Sequence, residues 1–115
     1  MKPATEPQAE VRPRAVISDT ITAFVLINVD KGRIPETAAA LTSFPEVPEV
    51  YSVTGPYDLV AIVRVRHFER LAEVVTEQVA KTEGVLNTET LVAFRCYAPD
   101  LLERSWGIGM EEQAT

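Results

Sequence analysis

Three features of the sequence predict an α+β domain in which one four-stranded antiparallel sheet carries two helices on a single face. Four short segments are rich in branched and aromatic residues, two others repeat apolar residues at helical spacing, and turn residues separate them in the order β-α-β-β-α-β. That order defines the ferredoxin-like split βαβ arrangement. The chain has 115 residues, the size of one domain. Its 46% of apolar residues suffices for a packed core.

Residues 1–20 read as a flexible tail, because Pro3, Pro7 and Pro13 interrupt them and their few apolar side chains have no period. Val16 and Ile17 are at most a short extension of the first strand, and the tail has no room for the helices of a helix-turn-helix. Ile21 to Val29 is that first strand, ending at the turn signal Asp30-Lys31-Gly32. Ile34 to Phe44 is a helix, with Ile34, Ala38, Leu41 and Phe44 on one face and Pro35 in the first turn, where its missing N–H costs nothing. Pro45 and Pro48 stop it.

Glu49 to Thr54 is a second strand, Gly55-Pro56-Tyr57-Asp58 a tight turn, and Leu59 to Val65 a third strand, so the two strands form a hairpin. His67 to Lys81 is a second helix that turns Phe68, Leu71, Ala72, Val75 and Val79 inward, and Gly84 caps it. Val85 to Tyr97 holds the fourth strand, best formed from Glu89 to Tyr97. Residues 21–98 thus make the domain, and 99–115 a C-terminal extension whose Leu101, Leu102 and Trp106 suggest a short helix packed on a partner.

Two helices cover only one face of such a sheet. The first and third strands nevertheless carry apolar residues on both faces: Ala23, Val25 and Ile27 against Phe24 and Leu26, and Leu59, Ala61 and Val63 against Val60 and Ile62. So apolar an open face predicts a second copy packed sheet to sheet, a dimeric α/β barrel with two-fold symmetry.

Charge and composition remove several classes of function. The formal net charge of -6 argues against direct DNA contact, since nucleic-acid binders present a basic stripe. Cys96 is the single cysteine, so no disulfide forms within the chain. No segment approaches the ~20 apolar residues of a membrane span, and Met1 to Pro13 has no apolar core of a secretory signal. The expectation is a cytoplasmic protein without a membrane.

Three stretches carry a resemblance. Val53-Thr54-Gly55-Pro56-Tyr57-Asp58 resembles the Val-Thr-Gly-x-Tyr/Phe-Asp segment of the effector-binding (RAM) domain of the leucine-responsive/AsnC (Lrp/AsnC) regulator family. Glu83 to Thr90 resembles that family's Pro-Gly-Val-x-x-Thr-x-Thr segment, and Glu46 to Val50 is similar to the Pro-x-Val before its second strand. Together they span residues 20–97, in the right order. Pro56 departs from the pattern and removes a backbone donor near the ligand, and His67 stands where the family carries an acidic or small polar helix cap.

The resemblance implies a stand-alone form of the domain, without the DNA-binding half. It implies dimers that associate into a higher homo-oligomer, often an octamer-like ring, with an amino acid or related small metabolite bound between dimers and mixed assembly with full-length family regulators open to it. By the same resemblance the pocket is built from Gly55, Pro56, Tyr57, Asp58, Thr88 and Thr90. Asp58 pairs with an α-ammonium group, Tyr57 walls the site, and Thr88 and Thr90 offer hydroxyls to a carboxylate. No catalytic residue, metal or cofactor is implied.

The residues alone leave plainer readings open. Gly55 to Asp58 is also ordinary hairpin chemistry, and Thr88 and Thr90 are ordinary strand residues of one face. His67 is an exposed or capping residue at a helix start, Cys96 a buried small hydrophobe, and Arg64, Arg66 and Arg70 a solvated face or intersubunit ion pairs. Two other functions stand beside the leading one. Dimeric ferredoxin-like barrels also host small monooxygenases and isomerases, although the inner strand positions here are mostly aliphatic. A purely structural assembly module without ligand is the other.

Overall fold

The computed structural model describes residues 13–16, by backbone alone, and 19–99. The described residues fall into two compact units, one of residues 19–93 and a second of 13–16 with 94–99.

In the first unit the strands are β2 (Ile21–Val29), β3 (Glu49–Ser52), β4 (Leu59–Val65) and β5 (Val85–Val92), ordered β3-β4-β2-β5, with every neighbouring pair antiparallel. Helix α1 (Ile34–Leu41) joins β2 to β3, and α2 (Phe68–Glu73), continued by the π-helical segment Val74–Val79, joins β4 to β5. This is the ferredoxin-like α+β fold expected. In the second unit, β1 (Pro13–Val16) pairs antiparallel with β6 (Cys96–Pro99).

The core lies between one face of the sheet and the helices. Ala23, Val25, Ile27 and Val29 of β2 and Leu59, Ala61, Val63 and Val65 of β4 are buried there with Leu41, Leu71, Val74 and Val79. Burying one such side chain fully contributes about 1.5–3 kcal/mol relative to leaving it in water. Strict alternation puts Phe24, Leu26, Val60 and Ile62 on the opposite face, which carries no helix among the described residues.

Several elements differ from expectation. Helix α1 ends at Leu41 rather than Phe44, because the chain enters successive turns: Thr42, Ser43 and Phe44 donate their N–H groups to Ala38, Ala40 and Leu41. In α2, Val74 and Val79 are both fully buried although five residues apart, and Ala80 N–H donates to the Val75 carbonyl at 2.9 Å. The wider turn brings i and i+5 onto one face. Val74 also lies inside, three residues after buried Leu71, whereas Ala72 and Phe68, both expected inside, are exposed, Phe68 to 63%.

The fourth strand is Val85–Val92: it begins at the expected Val85 but stops short of Tyr97, so its best-formed part is not Glu89–Tyr97. Ala93 N–H still donates to the Thr22 carbonyl at 2.9 Å, after which Phe94 and Arg95 leave the sheet and Cys96 pairs with Val16 instead. Cys96 is therefore exposed rather than a buried hydrophobe. Residues 13–16, expected within the tail, form a strand. The helix expected around Leu101, Leu102 and Trp106 lies outside the described residues. Among the described residues no helix is long and apolar enough to cross a membrane.

Gly84 closes the join between α2 and β5 at φ 98°, in a backbone region that side chains rarely adopt. Its carbonyl accepts from Asp30 N–H at 2.9 Å, while the buried Thr37 of α1 donates its hydroxyl to the Glu83 carbonyl at 3.2 Å. A Cβ at Gly84 would overlap Thr37 Oγ1.

Candidate functional site

The turn between β3 and β4 contains the predicted residues Gly55 to Asp58, and contacts inside the sheet unit fix it against the end of β2. Gly55 takes φ 110°, which lets the chain reverse. Asp58 N–H donates to the Ile27 carbonyl at 2.9 Å, and Val53 N–H donates to the Asp58 carbonyl at 3.0 Å. Asn28 Nδ2 donates to the Pro56 carbonyl at 2.8 Å.

The Asp58 carboxylate is part of this anchorage. Its Oδ2 accepts from Val29 N–H at 2.8 Å, and Oδ1 lies 3.5 Å from Lys31 Nζ. The β-bulge between Asn28 and Val29 shifts the register with β5 at this point, and the Asp58 side chain meets the Val29 donor. The Val29 N–H holds the Asp58 pKa below its ordinary value, and Lys31 and Asn28 add to this against a smaller desolvation effect. The expected pairing of Asp58 with an α-ammonium group thus competes with a hydrogen bond made inside the fold.

A lowered folded-state value means that Asp58 contributes stability above the ordinary carboxylate range and loses it as pH falls through the lowered value. Asp58→Ala is expected to unfold at lower urea than the parent at pH 7, with the difference shrinking on acidification. A constant difference down to pH 2 would show that the charge is irrelevant. Glu46 responds to pH in the same direction: its hydrogen bond from Arg70 lowers its pKa, with Arg70 Nε 2.8 Å from Oε2. Arg70, read from sequence as part of a solvated or intersubunit basic run, ties α2 to the segment before β3 and also meets Glu73 at 2.9 Å.

Tyr57 reaches across the sheet: its hydroxyl donates to Glu89 Oε1 on β5. That contact raises the Tyr57 pKa, with burial and the Glu89 charge adding to it. Glu89 stands opposite Leu26 on the open face.

Thr88 and Thr90 stand opposite Ile27 and Val25, whose side chains are buried under the helices. Directly opposed residues share a face, so both threonines belong to the helix face while the Tyr57–Glu89 contact lies on the other. The structure therefore brings Gly55, Pro56, Tyr57 and Asp58 together and leaves Thr88 and Thr90 across the sheet from Tyr57. Asn28, Lys31 and Glu89 are the residues that sequence reasoning missed. Asn28 and Lys31 were legible only as the end of a strand and its turn, and Glu89 as one polar residue in an alternating strand.

His67 takes the N-cap position of α2, exposed and without a side-chain capping bond. The depression of about 630 Å³ lined by Phe94, Arg95 and Tyr97 contains none of the predicted residues.

A βαββαβ sheet with both helices on one face, apolar residues on the other and a fixed turn at one end defines the class as a ferredoxin-like α+β domain. Residues 22–101 match the family model described as the Lrp/AsnC ligand binding domain, and the chain belongs to that family. The chain is 37% identical over 89 residues to the HTH-type transcriptional regulator FL11 of Pyrococcus furiosus, a match covering 77% of this chain and 58% of the relative. It spans between about half and three fifths of the length of the FL11 relatives it matches, at 58%, 51% and 58%.

Among solved structures it is similar to TTHA0845 from Thermus thermophilus, with 55% identity and a TM-score of 0.64 over 67% of this chain and 96% of that one. It is also similar to a feast or famine regulatory protein from M. tuberculosis complexed with L-methionine, with 28% identity and a TM-score of 0.58 over 70% of this chain and 54% of that one.

Proposed function

We propose that this domain binds an amino acid or related small metabolite and assembles with copies of itself, and that it carries out no catalysis. The observation that carries the reading is the sheet face opposite the helices. Phe24, Leu26, Val60 and Ile62 line its centre, and Leu91, 49% exposed, and Tyr51, 51% exposed, stand on the flanking strands. A contiguous apolar face of this kind favours a partner over water. A second copy supplies a matching one, and because the face carries Glu49 and Glu89 as well as Arg64, it can meet itself without a single-sign clash.

The effector contacts the outward tip at Gly55 and Pro56, with Tyr57 beside it, and Asp58 holds that tip in place. Thr88 and Thr90 join only where a neighbouring dimer brings their face alongside. Dimers pair into a ring such as an octamer, and full-length family regulators are candidate partners for mixed rings. L-methionine is the natural first probe, because a related regulator of 28% identity was solved in complex with it.

Two measurements on the intact chain test the reading. Light scattering gives the particle mass with and without a pool of amino acids. Thermal unfolding gives the shift with each one, L-methionine first. A ligand at about a hundredfold over its Kd stabilises by about 2.7 kcal/mol, a rise of roughly 10 °C or more for a unit of this size. A chain that remains monomeric at about 1 mM, with no shift from any common amino acid, would overturn the proposal.

A further inference from the structure

Resting on that reading, we infer that Glu89 is a positioning residue that links the 53–58 turn to assembly through the open face, with Tyr57 as the strap between them. Two of the turn's anchors end on β2, the strand it lies beside: Asn28 holds the Pro56 carbonyl and Val29 holds Asp58. The Tyr57 hydroxyl instead passes over β2 to reach β5, where it donates to Glu89.

Glu89 is the acid of β5 on this face, directly opposite Leu26, with Phe24 and Leu91 to one side and the Asn28–Asn87 pair to the other. A carboxylate moved from water onto such a surface needs a donor, and the Tyr57 hydroxyl supplies it. While the strap holds, the acid is satisfied and the face pairs with a second copy. A ligand that displaces Tyr57 leaves an unmatched charge beside Leu26 and weakens pairing. Occupancy of the turn and assembly of the sheet are thereby coupled with a defined sign.

The test is a dilution series by sedimentation velocity on the parent, Tyr57→Phe, Glu89→Gln and the double variant, with circular dichroism confirming the fold of each. Both side chains make this contact in an exposed setting, so the variants are expected to fold. Tyr57→Phe should raise the dimer dissociation constant by about tenfold, the order of one hydrogen bond to a charged group. Glu89→Gln should dissociate no more readily than the parent, because removing the charge removes the need for the donor. The double variant should return to within roughly threefold of the parent.

A merely structural strap would leave the double variant as weak as Tyr57→Phe, and that result overturns the inference. So does a set of four equal constants. A parent that never dimerises overturns the assembly reading as well, which separates the two failures.

Discussion

Gly84→Ala is expected to lower the unfolding midpoint of the domain more than any other exchange of one small residue for another. Two penalties coincide there. The backbone φ of 98° is strained for any residue with a Cβ, and the new methyl would overlap the hydroxyl of buried Thr37. Relieving the overlap means moving α1 away from the join or breaking the Thr37 bond to the Glu83 carbonyl. Strain and overpacking together should cost roughly 3 kcal/mol, or about 15 °C in Tm.

Gly55→Ala is the internal control. Its φ of 110° is similarly strained, but no atom stands within 4 Å of the added methyl, so it should cost only the backbone part. Calorimetry on the two variants separates the contributions. Equal losses would show that Thr37 yields without penalty.

The second large effect is on assembly. Phe24 sits on β2 between Ile62 and Leu91 on the open face and is 38% exposed. Phe24→Glu places a carboxylate at the centre of the surface that a second copy must cover, with no cation opposite on either flanking strand. A charge buried without a partner is strongly unfavourable, and the dimer dissociation constant should rise by at least about a hundredfold. The same change should alter monomer stability much less, because the side chain is already in partial contact with water. Light scattering across a concentration series reads the first quantity and urea unfolding the second. An unchanged particle mass would place the subunit contact elsewhere.

The fold was legible wherever local pattern and tertiary burial agree. Ile21–Val29 alternates cleanly enough to give both faces of β2, and the turn at Gly55 gives the hairpin. The misses share a physical origin in partners far away in sequence. Pro13–Val16 is short, carries proline and has no period, and becomes a strand only by pairing with Cys96–Pro99. That same pairing draws Cys96 away from the sheet and moves the end of β5 to Val92.

In α2, counting in steps of three and four found Leu71, Val75 and Val79 on the inner side but missed Val74, and it placed Phe68 and Ala72 inside although both are exposed. At the candidate site the motif gave the turn but not its wiring. The partner of Asp58 is a backbone N–H, which carries no residue-type signal, and the face occupied by Thr88 and Thr90 depends on which parity of β2 is buried.

The widened segment Val74–Val79 amounts to one residue more than a regular helix of the same length would hold. Excising a solvent-facing member such as Glu77 would restore ordinary helical pitch and ordinary hydrogen bonding. It would leave Val79 four residues after Val74, a spacing that shares a face in a regular helix, so Val79 would stay inside and the chain beyond the cut would keep its direction. A surplus that looks like a flaw in the helix is thus absorbed within a single turn, and a chain shorter by that one residue would deliver the last strand to the sheet from the same side.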